Sequence, residues 1–118
     1  MEPLRRQVTD PKIERLLKAI NLLRLYDREF PAQLMSVLLY VASHDNCHKQ
    51  ALEEDLNISM ASGSRNTDWL SKQHRLNKPG LDLIKKCIDP SYKRRQVLSL
   101  TKKGEDLVNQ IKEILYEK

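Results

Sequence analysis

The stretch Asp89-Pro90-Ser91-Tyr92-Lys93-Arg94-Arg95-Gln96-Val97-Leu98-Ser99-Leu100-Thr101 decides the predicted fold. Its first three residues are typical of a turn and end a strand predicted over Leu81–Ile88. The apolar residues further on predict a second strand, Gln96–Leu100. The two strands are expected to form a β-hairpin whose tip is Asp89–Arg95, and Thr101 is expected to cap a helix that follows.

Two helices are predicted before this hairpin. Asp10 followed by Pro11 is typical of an N-cap and a first helical position, because proline lacks a donor that this position cannot use. The next helix is expected to begin at Pro31 and to end near Ser43–Asn46. It is apolar nearly all round, which predicts the central helix of the core.

Two shorter helices are then predicted to form a helix-turn-helix. The first covers Lys49–Leu56 and is expected to turn its acidic run, Glu53–Asp55, towards solvent. Asn57 fits a tight turn because asparagine tolerates left-handed backbone. Ser59 is a natural N-cap for a helix from Met60 to about Gln73.

The predicted order is N-terminal helix, core helix, helix-turn-helix, β-hairpin wing and C-terminal helix. This order defines a mainly α winged-helix fold of the α+β type. The 118 residues suit one compact domain. We expect that domain to cover residues 11–118, after a flexible N-terminus over residues 1–10.

The positive charge of the chain is concentrated in one segment. The whole sequence has 21 Lys and Arg against 16 Asp and Glu, a formal net charge of +5. Residues 72–95 hold eight of those bases and two acids, a net +6, so the remainder is close to neutral. Such a cluster favours an acidic partner and gives it a location.

Several classes of protein are excluded by the same sequence. Its longest apolar run, Val37–Ala42, is far shorter than the roughly 18 residues of a membrane-spanning helix. Two cysteines and the lack of an apolar leader favour a reducing cytoplasm. His44, Cys47 and His48 lack a fourth zinc ligand nearby, and no nucleophile or phosphate-loop motif is present. We expect no enzyme activity, metal or cofactor.

The candidate nucleic-acid-binding residues fall into three groups. Small polar and amide side chains at the start of a helix can approach base edges in the major groove, whereas cations in a wing suit phosphates or a narrow minor groove. The alternatives are a solvated helix face and a charged strand edge that resists aggregation. The predicted set is Ser59, Ser62, Ser64, Arg65 and Asn66 in the helix; Lys93, Arg94 and Arg95 in the wing; and Lys72, Arg75, Lys78, His48 and Lys49 as further backbone contacts.

Two segments resemble the MarR-type family of regulators. Ile58–Arg65 with Leu70 resembles the recognition helix of that family. Asp89–Gly104 resembles its wing, which reads Asp-Pro-x-Asp-Arg-Arg, three residues, Leu-x-Leu-Thr, two residues and Gly, with no gap in the spacing. The resemblance covers about residues 34–108 and implies a DNA-binding winged helix.

The sequence departs from that family at three places. Tyr92 and Lys93 replace the second acid and the first paired arginine of the wing, so Arg94 must be positioned differently. Residues 72–80 are longer and more basic than the family's usual turn, and this Lys-Pro-Gly loop resembles short, phage-encoded relatives. The sequence ends at Lys118, earlier than is usual, so the family's dimer geometry and adjacent ligand pocket are not carried over.

The first helix is apolar on both sides. In so small a chain, we expect one side to meet a second copy, although the alternative is a helix embedded in its own domain. The predicted dimerisation residues are Ile13, Leu16, Leu17, Ile20, Leu22, Leu25 and Tyr26, with Ile111 and Leu115 from the last helix.

These observations predict a cytoplasmic, nucleoid-associated homodimer that binds double-stranded DNA sequence-specifically as a transcriptional regulator; a phage-encoded chain would act in the host cytoplasm. The alternative is a winged-helix interaction module that docks onto a polymerase or another regulator in the transcription machinery without specific DNA readout. That module would use the first helix or the acidic face at Glu53–Asp55.

Overall fold

The computed structural model describes residues 2–72 and 78–117. Within them, the chain forms five helices and a three-stranded antiparallel sheet in the order β1-β3-β2. The elements are α1 (Pro11–Arg24), α2 (Ala32–Ser43), β1 (Cys47–His48), α3 (Lys49–Leu56), α4 (Met60–Leu70), β2 (Ile84–Asp89), β3 (Tyr92–Leu100) and α5 (Lys102–Leu115). This is the predicted winged-helix fold.

Three helices begin at the predicted N-caps. Asp10 Oδ1 accepts hydrogen bonds from the first turn of α1, Ser59 Oγ accepts one from the Ser62 N–H at 3.0 Å, and Thr101 Oγ1 accepts one from the Gly104 N–H at 3.0 Å. Each side chain satisfies a backbone donor that has no partner inside the helix. The sequence-based starts of α1, α4 and α5 are confirmed.

The core is built around α2. Leu34, Val37 and Leu38 of this helix are fully buried. Apolar side chains from every other helix and from the two hairpin strands pack into the same cluster, including Leu23, Leu52, Leu70, Ile84, Leu98 and Leu107. The prediction that α2 is the central core helix is confirmed.

The turn of the helix-turn-helix forms as predicted, but one face of α3 differs from the prediction. Asn57 adopts left-handed backbone with φ 54°, and the Ile58 N–H donates to the Glu53 carbonyl oxygen at 3.0 Å. The outward prediction for Glu53 is wrong, because its carboxylate lies between α3 and α4 and pairs with Lys49. A charged side chain can be buried there because an opposite charge one helical turn away accompanies it.

The segment after α4 also differs from the prediction. α4 ends at Leu70 rather than near Gln73, and β2 begins at Ile84 rather than at Leu81. Backbone hydrogen bonds return the chain onto the end of α4: Gly80 N–H to Lys72 O at 3.0 Å, Leu81 N–H to Trp69 O at 2.9 Å and Leu83 N–H to Leu70 O at 2.7 Å. These bonds use backbone groups that a longer helix or strand would have used.

The hairpin is tighter at its tip than predicted. Asp89 pairs with Tyr92 across a turn at Pro90 and Ser91, so Lys93–Arg95 belong to β3 and not to the tip. The register then shifts, since the next pair is Ile88 with Gln96. Three cationic residues on β3 therefore have no counterpart on β2, and we call Lys93–Arg95 the wing bulge.

The short strand β1 was not predicted. Cys47 and His48 pair with Leu98 and Val97, which places β3 in the middle of the sheet. This pairing joins the start of α3 directly to the wing.

The predicted dimerisation residues divide into three groups. Ile13, Leu16 and Leu17 on α1 are 62%, 52% and 54% exposed, and Leu25 and Leu115 are exposed as well. Leu22 and Tyr26 pack partly against the core of their own chain, and Ile20 is half-buried. Ile111 does not fit the predicted dimer contact, because it is only 6% exposed and packs in the core of its own chain.

No helix in the described part of the chain is both long and apolar enough to cross a bilayer.

Candidate nucleic-acid interface

The N-terminal half of α4 presents polar side chains to solvent. Ser59 and Arg65 are exposed, while Ser62 and Ser64 are half-buried. The Arg65 guanidinium donates a hydrogen bond to Ser62 Oγ at 3.0 Å, which holds it along the helix. Four of the five predicted α4 side chains therefore reach the surface.

Asn66 lies elsewhere than predicted. It is buried, and its side-chain amide donates a hydrogen bond to Gln33 Oε1 of α2 at 2.7 Å. A buried amide that has a partner stabilises the packing of the two helices, and breaking that bond would leave polar groups unsatisfied. We therefore assign Asn66 to the α2–α4 contact and leave it out of the candidate interface.

The wing bulge carries three exposed cations. Among residues 2–72 and 78–117, none of Lys93, Arg94 and Arg95 forms an ion pair with a carboxylate. The Arg95 guanidinium carbon lies 4.9 Å from the centroid of the Tyr92 ring. These charges are not neutralised within the described structure, so they are available to an anionic partner.

A cleft of about 280 Å³ separates the wing bulge from the helix-turn-helix. The cleft is lined by Arg94, Arg95 and Gln96 of β3, by Lys49, Gln50 and Glu53 of α3, and by Met60 at the start of α4. Cationic side chains therefore face the amino ends of two helices across one groove. Helix amino termini and cations both favour anions.

Two further predicted contacts are used inside the protein. Lys49 is mostly buried in its pair with Glu53. His48 Nε2 lies 2.8 Å from Asp89 Oδ2, and the Ser91 N–H donates to Asp89 Oδ1 at 2.8 Å. These two hydrogen bonds, led by that of His48, hold the pKa of the Asp89 carboxyl below its usual value. His48 thus fixes the wing turn to the start of α3.

Two predicted contacts from residues 72–80, which we call the basic loop, lie at the surface. Lys72 and Lys78 are both exposed, and the Lys72 carbonyl oxygen accepts a backbone hydrogen bond from Gly80. The predicted contact Arg75 lies outside the described residues. Lys86 of β2 pairs with Asp68 near the end of α4, so this cation of the +6 segment is neutralised internally.

Four residues that line the cleft were not among the predicted contacts: Met60, Gln50, Gln96 and Glu53. Met60 is 74% exposed at the first position of α4. Its place directly after the N-cap Ser59 was a signal that could have identified it, because the first residues of a recognition helix contact bases. The two glutamines had no such signal, since their place depends on how β3 packs beside α3.

The acidic face proposed for a protein partner makes contacts within the chain, and two of its three acids, Glu54 and Asp55, remain exposed. Asp55 Oδ2 accepts a hydrogen bond from the Tyr40 hydroxyl at 2.6 Å, and this bond, with burial and the nearby charge, raises the pKa of Tyr40 to about 12. Glu54 accepts a hydrogen bond from Gln50, and Glu53 is buried. The interaction-module alternative therefore loses Glu53 from its charged surface and keeps Glu54 and Asp55.

The candidate zinc ligands do not converge in the described residues. His44 stacks on the Tyr40 ring with centroids 3.9 Å apart, whereas His48 contacts Asp89. Nowhere in the described ranges do three or more His, Cys, Asp or Glu side chains form a group that could hold a metal ion.

The fold and cleft together define a winged helix-turn-helix domain. Solved structures with the same fold include the S. aureus MepR–DNA complex, which is 22% identical with a TM-score of 0.70 and matches over 89% of this chain and 78% of that chain. MarR is 18% identical with a TM-score of 0.60, over 86% and 74% of the two chains. The transcriptional repressor CouR, bound to a 23-mer DNA duplex, is 21% identical with a TM-score of 0.59, over 89% and 70%.

The fold is therefore a MarR-like winged helix, as the resemblance in the recognition helix and wing predicted. In sequence, the chain matches no protein-family model and no curated protein.

Proposed function

We propose that this chain is a transcriptional regulator that binds double-stranded DNA sequence-specifically. α4 would enter the major groove, where Ser59, Ser62, Ser64 and Arg65 face base edges. The wing bulge would contact the phosphate backbone and the minor groove beside it.

One observation carries this proposal. The three cations of the wing bulge have no carboxylate partner within the described ranges, and two of them face the amino ends of α3 and α4 across the cleft. Exposed, unpaired cations favour an anionic partner, and each phosphate that they neutralise releases counterions and favours binding. MepR and CouR, which share the fold, were crystallised with DNA.

A homodimer belongs to the same proposal. The exposed apolar residues Ile13, Leu16 and Leu17 lie at helical spacing on one face of α1, and Leu115 is exposed near the end of α5, which packs beside α1. Burying such a face against a second copy removes apolar surface from water. Two-fold symmetry then predicts a nearly palindromic site with half-sites about 10 base pairs apart.

The first test selects bound duplexes from random DNA and then measures affinity by fluorescence anisotropy on the selected and a scrambled duplex. Arg94→Ala is expected to weaken binding to both duplexes alike and to reduce the salt slope by about 0.9, because it removes one phosphate contact. Arg65→Ala is expected to cost about 1–3 kcal/mol on the selected duplex and less on the scrambled one.

Lys112→Ala on α5 is the matched control, since it also removes one exposed cation but lies on the helix that packs beside α1. It is expected to change the affinity for either duplex only slightly, through the loss of one positive charge from the whole protein. Selection that enriches no motif, or equal affinities for wild type, Arg94→Ala and Arg65→Ala, would contradict the proposal.

A further inference from the structure

Tyr92 occupies the position between the turn of the wing and the wing bulge. It is the first residue of β3 and pairs with Asp89, the last residue of β2. The shift in register directly after it brings Arg95 back over its ring, at 4.9 Å from the ring centroid. The ring remains 49% exposed, so core packing does not account for this aromatic residue.

The acid nearest to the wing bulge in sequence is already engaged. Asp89 is held by His48 on one oxygen and by the Ser91 N–H on the other. Arg95 forms no ion pair with any carboxylate in the ranges 2–72 and 78–117. The aromatic face of Tyr92 is thus the contact that the structure gives to this guanidinium.

Arg95 lines the cleft together with Arg94 and also borders a smaller depression beside His48 and Glu54. Its guanidinium therefore lies where the wing meets the start of α3. A guanidinium held against an aromatic ring still has N–H groups free to donate hydrogen bonds to a phosphate.

We propose that Tyr92 is a positioning residue that holds Arg95 towards the cleft, ready to bind a DNA phosphate. This inference rests on the DNA-binding function proposed above and adds how one of its cations is oriented. A long side chain fixed before binding loses less conformational freedom when the phosphate arrives, so the contact is stronger than that of a free arginine.

The test compares Tyr92→Phe, which keeps the ring, with Tyr92→Leu, which removes it, each in the wild-type and the Arg95→Ala background. Affinity for a duplex is measured by anisotropy, and the Arg95 Nε–H resonance is recorded in the free protein. Tyr92→Leu is expected to weaken binding about two- to fivefold, as expected for an exposed cation–π contact. It is also expected to remove the ring-current shift from the Arg95 resonance. Tyr92→Phe is expected to retain both the affinity and the shift.

In the Arg95→Ala background, Tyr92→Leu is expected to have no further effect on affinity. An equal loss in that background would mean that Tyr92 contacts DNA itself or supports the fold, and either result overturns the inference. Full affinity in Tyr92→Leu, or a loss in Tyr92→Phe equal to that in Tyr92→Leu, overturns it as well. Absence of DNA binding by the wild-type protein would instead overturn the proposed function, and the inference with it.

Discussion

Gly63 determines how closely α3 and α4 approach each other. A Cβ added there would lie 2.0 Å from Glu53 Oε2, so the helix leaves room for the buried carboxylate only because this residue has no side chain. The sequence showed a glycine inside a helix, which weakens the helix by about 1 kcal/mol relative to alanine. What that glycine faces could not be predicted, because the burial of Glu53 depends on the packing of two helices.

Gly63→Ala is expected to destabilise the protein by about 1–3 kcal/mol, since the new methyl group must displace Glu53 and its partner Lys49. The free energy of unfolding is measured by urea denaturation. In a Glu53→Ala background the same substitution is expected to be neutral or stabilising, because only the gain in helix propensity remains. An equal penalty in both backgrounds would show that Gly63 matters for another reason.

The wing was predicted correctly as a hairpin and incorrectly in its details. The Asp-Pro-Ser signal placed the turn, and the apolar residues Val97, Leu98 and Leu100 placed the paired end of β3. The wing bulge could not be predicted, because a shift in register depends on the pairing of two strands and leaves no local pattern. The two residues of β1 are likewise too few to show a periodicity.

The wing turn is expected to lose stability in acid. The pKa of Asp89 is lower in the folded protein than the usual value of about 3.9, so its ionised form stabilises the fold. That contribution is fully present above about pH 4 and is lost as the pH falls through the lowered value.

Asp89→Asn is therefore expected to melt at a lower temperature than the wild type at pH 6, and the difference is expected to shrink as the pH falls below about 4. Thermal melting followed by circular dichroism measures both. Asp45→Asn, at an exposed aspartate outside the wing, controls for the loss of one negative charge. A difference that stays constant down to pH 2 would refute the role given to the Asp89 hydrogen bonds.

At the level of the whole molecule, α1 carries more apolar side chains than its own domain can bury. The structure assigns Leu23 and Ala19 to the core and leaves Ile13, Leu16 and Leu17 in solvent. The sequence could not distinguish the two sides, because both have helical spacing. Ile111 belongs to the single apolar stripe of α5, and the sequence did not show that this residue packs into the core of its own chain.

Light scattering at micromolar concentration is expected to give twice the 13.8 kDa mass of the chain. A charge at the centre of the exposed face, Leu16→Glu, is expected to yield monomer, because burying an unpaired carboxylate in the interface is costly. Leu39→Glu is the matched control, since Leu39 is an exposed leucine on α2, outside that face.

Either a wild-type protein that scatters as a single chain or a Leu16→Glu variant that remains dimeric would refute this interface. The first result would also remove the argument for a palindromic site.

The backbone bonds that join Leu70 to Leu83, Trp69 to Leu81 and Lys72 to Gly80 form a clasp at the base of the basic loop. Gly80 fits this clasp because a Cβ there would lie 1.7 Å from the Ser71 carbonyl oxygen. The clasp therefore sets the position of β2 from the end of α4 through main-chain hydrogen bonds. Because main-chain donors and acceptors are present whatever the side chain, most substitutions in this clasp would leave the place of the wing beside α4 unchanged.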